Sequence, residues 1–254
     1  MLISVKDIIS KSIELYKENS KLFFQYILAL FIPVFVSMLI GAFFGQEAQL
    51  NALNGMIGIG LFIMFFLIYV ISIWISLGFV RTIALRYEGK PGLEVKEALR
   101  WAAPLLWPAI FASILAGLAI LGGFILLIIP GIIFSVWFSF VFYAVALDDK
   151  RGKDALKFSK YLVKGRWWSV LWRLIGPGIV FGLLFFIADM IFEFLKGILT
   201  SNMIDGTLPF IITGIIISLA SSIIGLLLTP LSTAAPTILY SELKKTVGQP
   251  PVQQ

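Results

Sequence analysis

The stretch GFILLIIPGIIF, Gly123 to Phe134, sets a proline and a glycine in the middle of an uncharged run from Ala102 to Leu147. As one helix, this run of about 46 residues would measure about 69 Å, more than twice the hydrocarbon thickness of a bilayer. Its flanks are basic: Arg100 precedes it, and Lys150, Arg151 and Lys153 follow. Basic residues favour the cytoplasmic side, so a run with two cytoplasmic flanks crosses an even number of times. The stretch is therefore read as a turn between two spans. Pro130 suits the first turn of the returning helix, where its missing N–H leaves nothing unsatisfied. Gly122-Gly123 is a competing turn site, with Pro130 then a kink. The expectation is a turn within residues 122–131.

Outward from this stretch lie four more apolar runs, Leu22–Phe44, Met56–Val80, Trp168–Leu199 and Leu208–Leu239. Of 254 residues, 59% are hydrophobic and 13% charged. A soluble domain carries roughly 25% charged residues and needs a polar skin, which this chain cannot supply. The expected class is all-α: a polytopic membrane protein of about six transmembrane helices. The N-terminus mixes both charge signs and has no short apolar core before a small-residue site. The first span is therefore expected to remain in the mature protein. Residues 1–254 read as one integral membrane domain. It comprises an amphipathic N-terminal helix (1–21), spans one to four (22–147), a basic interfacial helix (148–167), spans five and six (168–241) and a polar tail (242–254).

The chain has neither cysteine nor histidine. That excludes disulfides, thiol nucleophiles, imidazole metal ligands and histidine-based triads. No cofactor, metal or catalytic residue is expected, and the chain reads as a non-enzyme. The net charge of +6 could suggest nucleic acid. The basic residues flank apolar runs instead, which points to retention beside an anionic membrane surface and not to nucleic acid. With six spans, every Lys and Arg except Lys196 falls on one side. Both termini and the 148–166 loop are then cytoplasmic.

A short segment recurs before each pair of spans. Its core is Lys6-Asp7-Ile8-Ile9, Lys96-Glu97-Ala98-Leu99 and Lys153-Asp154-Ala155-Leu156. Ser4 and Asp7 are spaced as a capping box, and Val5, Ile8, Ile9, Ser12, Ile13 and Tyr16 share one helical face. Over 152–164, Ala155, Phe158, Tyr161 and Leu162 make the apolar face, and Gly165 can end the helix. These segments read as amphipathic helices lying on the cytoplasmic leaflet, each leading into a hairpin. Any basic amphipathic segment before a span has a similar look, so the threefold repeat rests on few positions.

From Ile128 to Leu171 the sequence IIPGIIFSVWFSFVFYAVALDDKRGKDALKFSKYLVKGRWWSVL carries a denser pattern. Pro130-Gly131-Ile132 precedes an aromatic-rich span and an acidic turn. Ala155-Leu156, Ser159 and Leu162-Val163-Lys164-Gly165-Arg166-Trp167-Trp168 follow. This pattern resembles the superfamily of bacterial membrane proteins that includes YciC-like proteins and the membrane domain attached to some glycerophosphodiester phosphodiesterases. The resemblance implies an all-helical inner-membrane protein of about six spans. It carries little about activity, and the soluble phosphodiesterase domain has no counterpart here.

The candidate functional residues form two groups. Lys164, Arg166, Trp167 and Trp168, with Arg173 one turn further in, suit a headgroup-level contact with lipid or a partner protein. An ordinary interfacial anchor, with Arg173 snorkelling to the surface, is the plainer reading. Asp189, Glu193 and Lys196 share one face of span five as intramembrane polar candidates. A helix starting at Trp168 carries Asp189 about 31 Å along, to the far surface. One starting at Pro177 leaves it about 18 Å in, inside the hydrocarbon. The surface placement is preferred, because Trp167-Trp168 offers a headgroup-level start. Ser159-Lys160 is the one nucleophile-and-base pairing available, and it reads more simply as a solvated helix face. Gly178 and Gly182, and the series Gly214, Ser218 and Ser222, permit close helix contact, within the chain or with a homo-oligomeric or other membrane-protein partner. Membrane lipids are the expected partners. The first functional expectation is a lipid- or partner-organising protein of the bacterial cytoplasmic membrane. The second is a transporter using span five, and the third a lipid-acting enzyme.

Overall fold

The computed structural model describes residues 2–50 and 55–247, with backbone alone at 42–50 and 55–57. Ten α-helices account for the described secondary structure: α1 (Val5–Glu18), α2 (Ser20–Leu50), α3 (Gly55–Tyr87), α4 (Val95–Ala102), α5 (Leu106–Leu126), α6 (Ile128–Phe138), α7 (Val141–Asp148), α8 (Gly152–Val163), α9 (Trp167–Thr200) and α10 (Leu208–Val247). A single 3-10 turn, Ala103–Leu105, joins α4 to α5. Among the described residues, six helical stretches are long and apolar enough to cross a membrane. Of the expected polar tail, Glu242–Val247 continues α10 and 248–254 lies outside the described residues.

The deciding turn falls at Leu127, inside the predicted window. It is a single extended residue (φ −166°, ψ 156°) between α5 and α6. Pro130 is the third residue of α6, in the first turn, as its chemistry favours. Gly123 is not a turn residue. It lies inside α5, where a Cβ would meet Gly131 Cα at 3.0 Å, so the two glycines let the hairpin arms touch. Span four differs from the expected single helix: it breaks at Ser139-Phe140 into α6 and α7. Its aromatic residues Trp137, Phe138, Phe140, Phe142 and Tyr143 are all buried or half-buried in the core.

The repeat has a structural counterpart. Helices α1, α4 and α8 begin at Val5, Val95 and Gly152, so each recurring lysine is the second helical residue and each acid the third. The fourth residues, Ile8, Ala98 and Ala155, are all fully buried. An acid in the first turn complements the helix dipole, and the fourth position is the first to face inward. The Ser4 side chain caps α1: it accepts from the Asp7 N–H at 3.0 Å and donates to Asp7 Oδ2 at 2.7 Å, which is half of the expected capping box. Each short helix seals the hairpin before it, and the first seals the last. Helix α4 packs on α3, α8 on α5, α6 and α7, and α1 on α9 and α10.

This closure changes what the amphipathic faces contact. An apolar stripe of this kind suits lipid or protein equally. In α8, Ala155, Phe158 and Leu162 of the expected lipid-facing stripe belong to the protein core, while Tyr161 is half-buried, so most of that stripe is covered by the chain itself. The three short helices and the C-terminal ends of α3 and α10 form a compact base. Beyond it, α3, α9 and α10 expose long apolar stretches, among them Phe62, Phe66, Phe186, Phe194 and Ile216. Such area on a water-soluble molecule would be a large unexplained patch; on a membrane helix it is the lipid face.

Candidate lipid interface and polar clusters

Helix α8 carries the site's cationic edge. The left-handed conformation of Asp149 (φ +49°) and Gly152 (φ +48°) turns the chain sharply from α7 into α8. Gly165 (φ +81°), just past the α8 C-cap, turns it again into α9. Glycine adopts this region without the strain a Cβ imposes, which is why the helix ends where predicted. Lys153, Lys157, Lys160 and Lys164 are exposed opposite the buried face. Lys157 lies 3.9 Å from Asp154, and the Lys160 ammonium sits 3.9 Å above the Trp137 ring.

The five headgroup candidates divide into two kinds. Lys164 and Trp168 face outward, the latter 67% exposed. Trp167 turns in and donates its indole N–H to the Ile133 carbonyl at 3.4 Å. Arg166 is a clasp: it donates to the Leu162 carbonyl (3.0 Å), the Leu243 carbonyl (3.2 Å) and Thr246 Oγ1 (2.6 Å). These acceptors are among the open carbonyls and last-turn groups of α8 and α10, which a guanidinium satisfies well. Burial lowers the Arg166 pKa from the ordinary arginine value, with Tyr161 acting in the opposite sense. Arg173 is half-buried and turns back along α9 towards its start. It donates to the Ile3 carbonyl, to Leu2 O (3.4 Å) and to Ser169 O (2.7 Å), fixing the segment that leads into α1.

Ser159 is not on a solvated face. It is fully buried, donates to the Trp137 carbonyl at 2.6 Å and accepts from the Phe140 N–H at 3.1 Å. The hydroxyl thus holds the break between α6 and α7, while Lys160 points to Trp137 instead.

In span five, α9 starts at Trp167 and runs on to Thr200, eleven residues past Asp189, so Asp189 does not mark the end of the helix as the preferred surface placement required. Asp189 is half-buried, and its Oδ1 accepts from Ser221 Oγ of α10 at 2.8 Å. Glu193 and Lys196 pair locally at 3.2 Å, Glu193 exposed and Lys196 half-buried. The structure therefore separates Asp189, turned to its neighbour helix, from the other two. Gly178 and Gly182 face open space, so packing within the chain does not use them. Gly176 and Gly225 do pack, against Val5 and Phe185.

Two polar networks at the base escaped the sequence reading. Asp148 accepts from Tyr240 and Lys244, joining the end of α7 to α10. Lys11 donates to Tyr87 Oη (3.2 Å), which donates to Glu242 (2.9 Å), which also pairs with Lys245 (2.7 Å). Polar residues ending otherwise apolar runs are the signal that could have located them. Together with Arg166 and Arg173 these links place the basic segments at one end of the molecule, while Lys196 lies beside Glu193 near the other end of α9.

A family described as Domain of unknown function (DUF7847) matches residues 102–243, more than half of the chain. The chain belongs to this family. The matched segment runs from the last residue of α4 through most of α10. It therefore contains the break held by Ser159, the cationic edge of α8 and the Asp189–Ser221 contact. No curated protein and no solved structure matches the chain.

Proposed function

We propose that this protein is a non-enzymatic component of a bacterial cytoplasmic membrane that gathers anionic lipid at its base and organises the envelope there. The carrying observation is the edge formed by Lys153, Lys157, Lys160 and Lys164 beside the outward Trp168. Anionic leaflets favour basic residues by about 1 kcal/mol each, and tryptophan favours the headgroup level. The base, with both termini, faces the cytoplasm in this reading. The likeness of residues 128–171 to the YciC-like superfamily supports the same placement.

The test is lipid selectivity in reconstituted bilayers. Spin-labelled phosphatidylglycerol should associate with the protein more strongly than phosphatidylcholine. Changing all four lysines to glutamine should bring the two to parity, and rising salt should act in the same direction. Equal association of both lipids with the unaltered protein would end this reading. Orientation is checked separately, because the chain has no native cysteine. Lys157→Cys should react with an impermeant maleimide from the cytoplasmic face alone, and reaction from the opposite face would invert the topology.

A carrier of small solutes or lipid is the second reading, favoured by the Asp189–Ser221 hydrogen bond between α9 and α10. It ranks second because one carboxylate and one hydroxyl do not make a polar path. Translocation of a fluorescent phospholipid in proteoliposomes, lost in Asp189→Asn, would move it first.

A further inference from the structure

We infer that the α5–α6 hairpin is re-entrant: it enters the membrane from the base, turns at Leu127 within the acyl chains and returns without reaching the far surface. The inference rests on the membrane reading of the outer hairpins and adds to it, since only four helices then cross completely.

The turn has no group suited to water. From Ile114 to Phe134 no side chain carries a polar atom. Ile125, Leu126, Leu127, Ile128 and Ile129 stand out at 68–85% exposure, at the very tip. The corresponding link between α9 and α10 holds Ser201, Asn202, Asp205 and Thr207. A bend meant for the aqueous far side is built from such residues, whereas five adjacent aliphatics belong in hydrocarbon.

Reach decides between a deep tip and a far-side tip. Trp167, the first residue of α9, bonds to the Ile133 carbonyl. Ile133 lies six residues from Leu127, about 9 Å of helix. From the same residue α9 runs on to Thr200, about 50 Å away along its axis. The tip therefore stays near the level at which α9 begins, far short of the end of α9. The two arms, α5 and the α6–α7 stretch from Ile128 to Asp148, have 21 residues each, against 31 to 40 in α2, α3, α9 and α10.

The backbone break is short. In hydrocarbon every open N–H or C=O is costly, so a re-entrant turn keeps them few; those left here are the Ile128 and Ile129 N–H groups and the last carbonyls of α5. Leu127 alone is non-helical; its N–H donates to the Gly123 carbonyl at 3.0 Å, and its own carbonyl accepts from the Gly131 N–H at 3.3 Å. Pro130 contributes no N–H at all. The contact between Gly123 and Gly131 closes the hairpin to a narrow wedge.

Single cysteines at Leu127, Asp205 and Lys157, in the otherwise cysteine-free chain, test this in sealed vesicles of both orientations with an impermeant maleimide. Asp205→Cys should react from one face, Lys157→Cys from the other, and Leu127→Cys from neither until the protein is denatured. A bimane label on Leu127→Cys should lose its fluorescence to lipids brominated in mid-chain, and a label on Asp205→Cys should keep it. Ile129→Cys provides a second reporter of the same tip. Labelling of Leu127→Cys from the Asp205 face overturns the inference and restores a full crossing. If Asp205→Cys and Lys157→Cys react from one and the same face, the outer hairpins do not span, and the proposal falls with the membrane reading by a different signature.

Discussion

Ser159→Ala should destabilise the folded protein by about 2–4 kcal/mol, seen as a shift of the denaturation midpoint in detergent micelles. The hydroxyl is fully buried and serves two backbone groups, the Trp137 carbonyl at 2.6 Å and the Phe140 N–H at 3.1 Å. Both flank the interruption between α6 and α7, where the regular helical ladder lapses. A methyl group satisfies neither, and each buried polar group left alone costs roughly 1–3 kcal/mol. Ser37→Ala is the control. Its hydroxyl only returns to the Pro33 carbonyl of its own helix at 2.8 Å, so its loss should change stability by no more than about 0.5 kcal/mol. Exchange of the Phe140 amide should accelerate in Ser159→Ala and not in the control. Equal stability of the two variants would mean that the break at Ser139-Phe140 holds itself.

That break marks where the sequence stops being legible. The turn near Pro130 was readable because charge counts on its flanks and proline chemistry are local quantities. The interruption of span four was not, because the group that holds it lies about twenty residues later, on α8. The faces of α1 and α8 were read correctly as apolar stripes and assigned to the wrong neighbour, since periodicity gives a direction and says nothing of what lies there. Arg166 and Arg173 show the same limit. A cation beside a tryptophan pair looks like a headgroup ligand, but the acceptors that engage it are backbone carbonyls of Leu243 and Ile3, remote in sequence and invisible as residue types.

The ring of sealed hairpins predicts a second large effect, at Gly78. Helix α4 lies on α3 through the Trp74 indole, which donates to the Leu99 carbonyl at 2.8 Å, and through direct contact of Gly78 with Ala98. A Cβ on Gly78 would stand 2.8 Å from Ala98 Cβ and 3.2 Å from its carbonyl carbon. Two backbones cannot yield as a flexible side-chain end can, so Gly78→Ala should cost about 1–3 kcal/mol by overpacking. Ala98 is the fully buried fourth residue of its repeat copy, equivalent to Ile8 and Ala155. The reciprocal change, Ala98→Gly, removes the opposing methyl at a cost of about 1 kcal/mol in helix propensity. Combined with Gly78→Ala, it should recover part of the loss, and the recovery should be incomplete because the Ala98 carbonyl remains close. The double-mutant cycle should therefore show favourable coupling of about 1 kcal/mol or more, as touching residues do. Strict additivity would mean that α4 can leave α3 at no cost, and that the short helices lie on the bundle without sealing it.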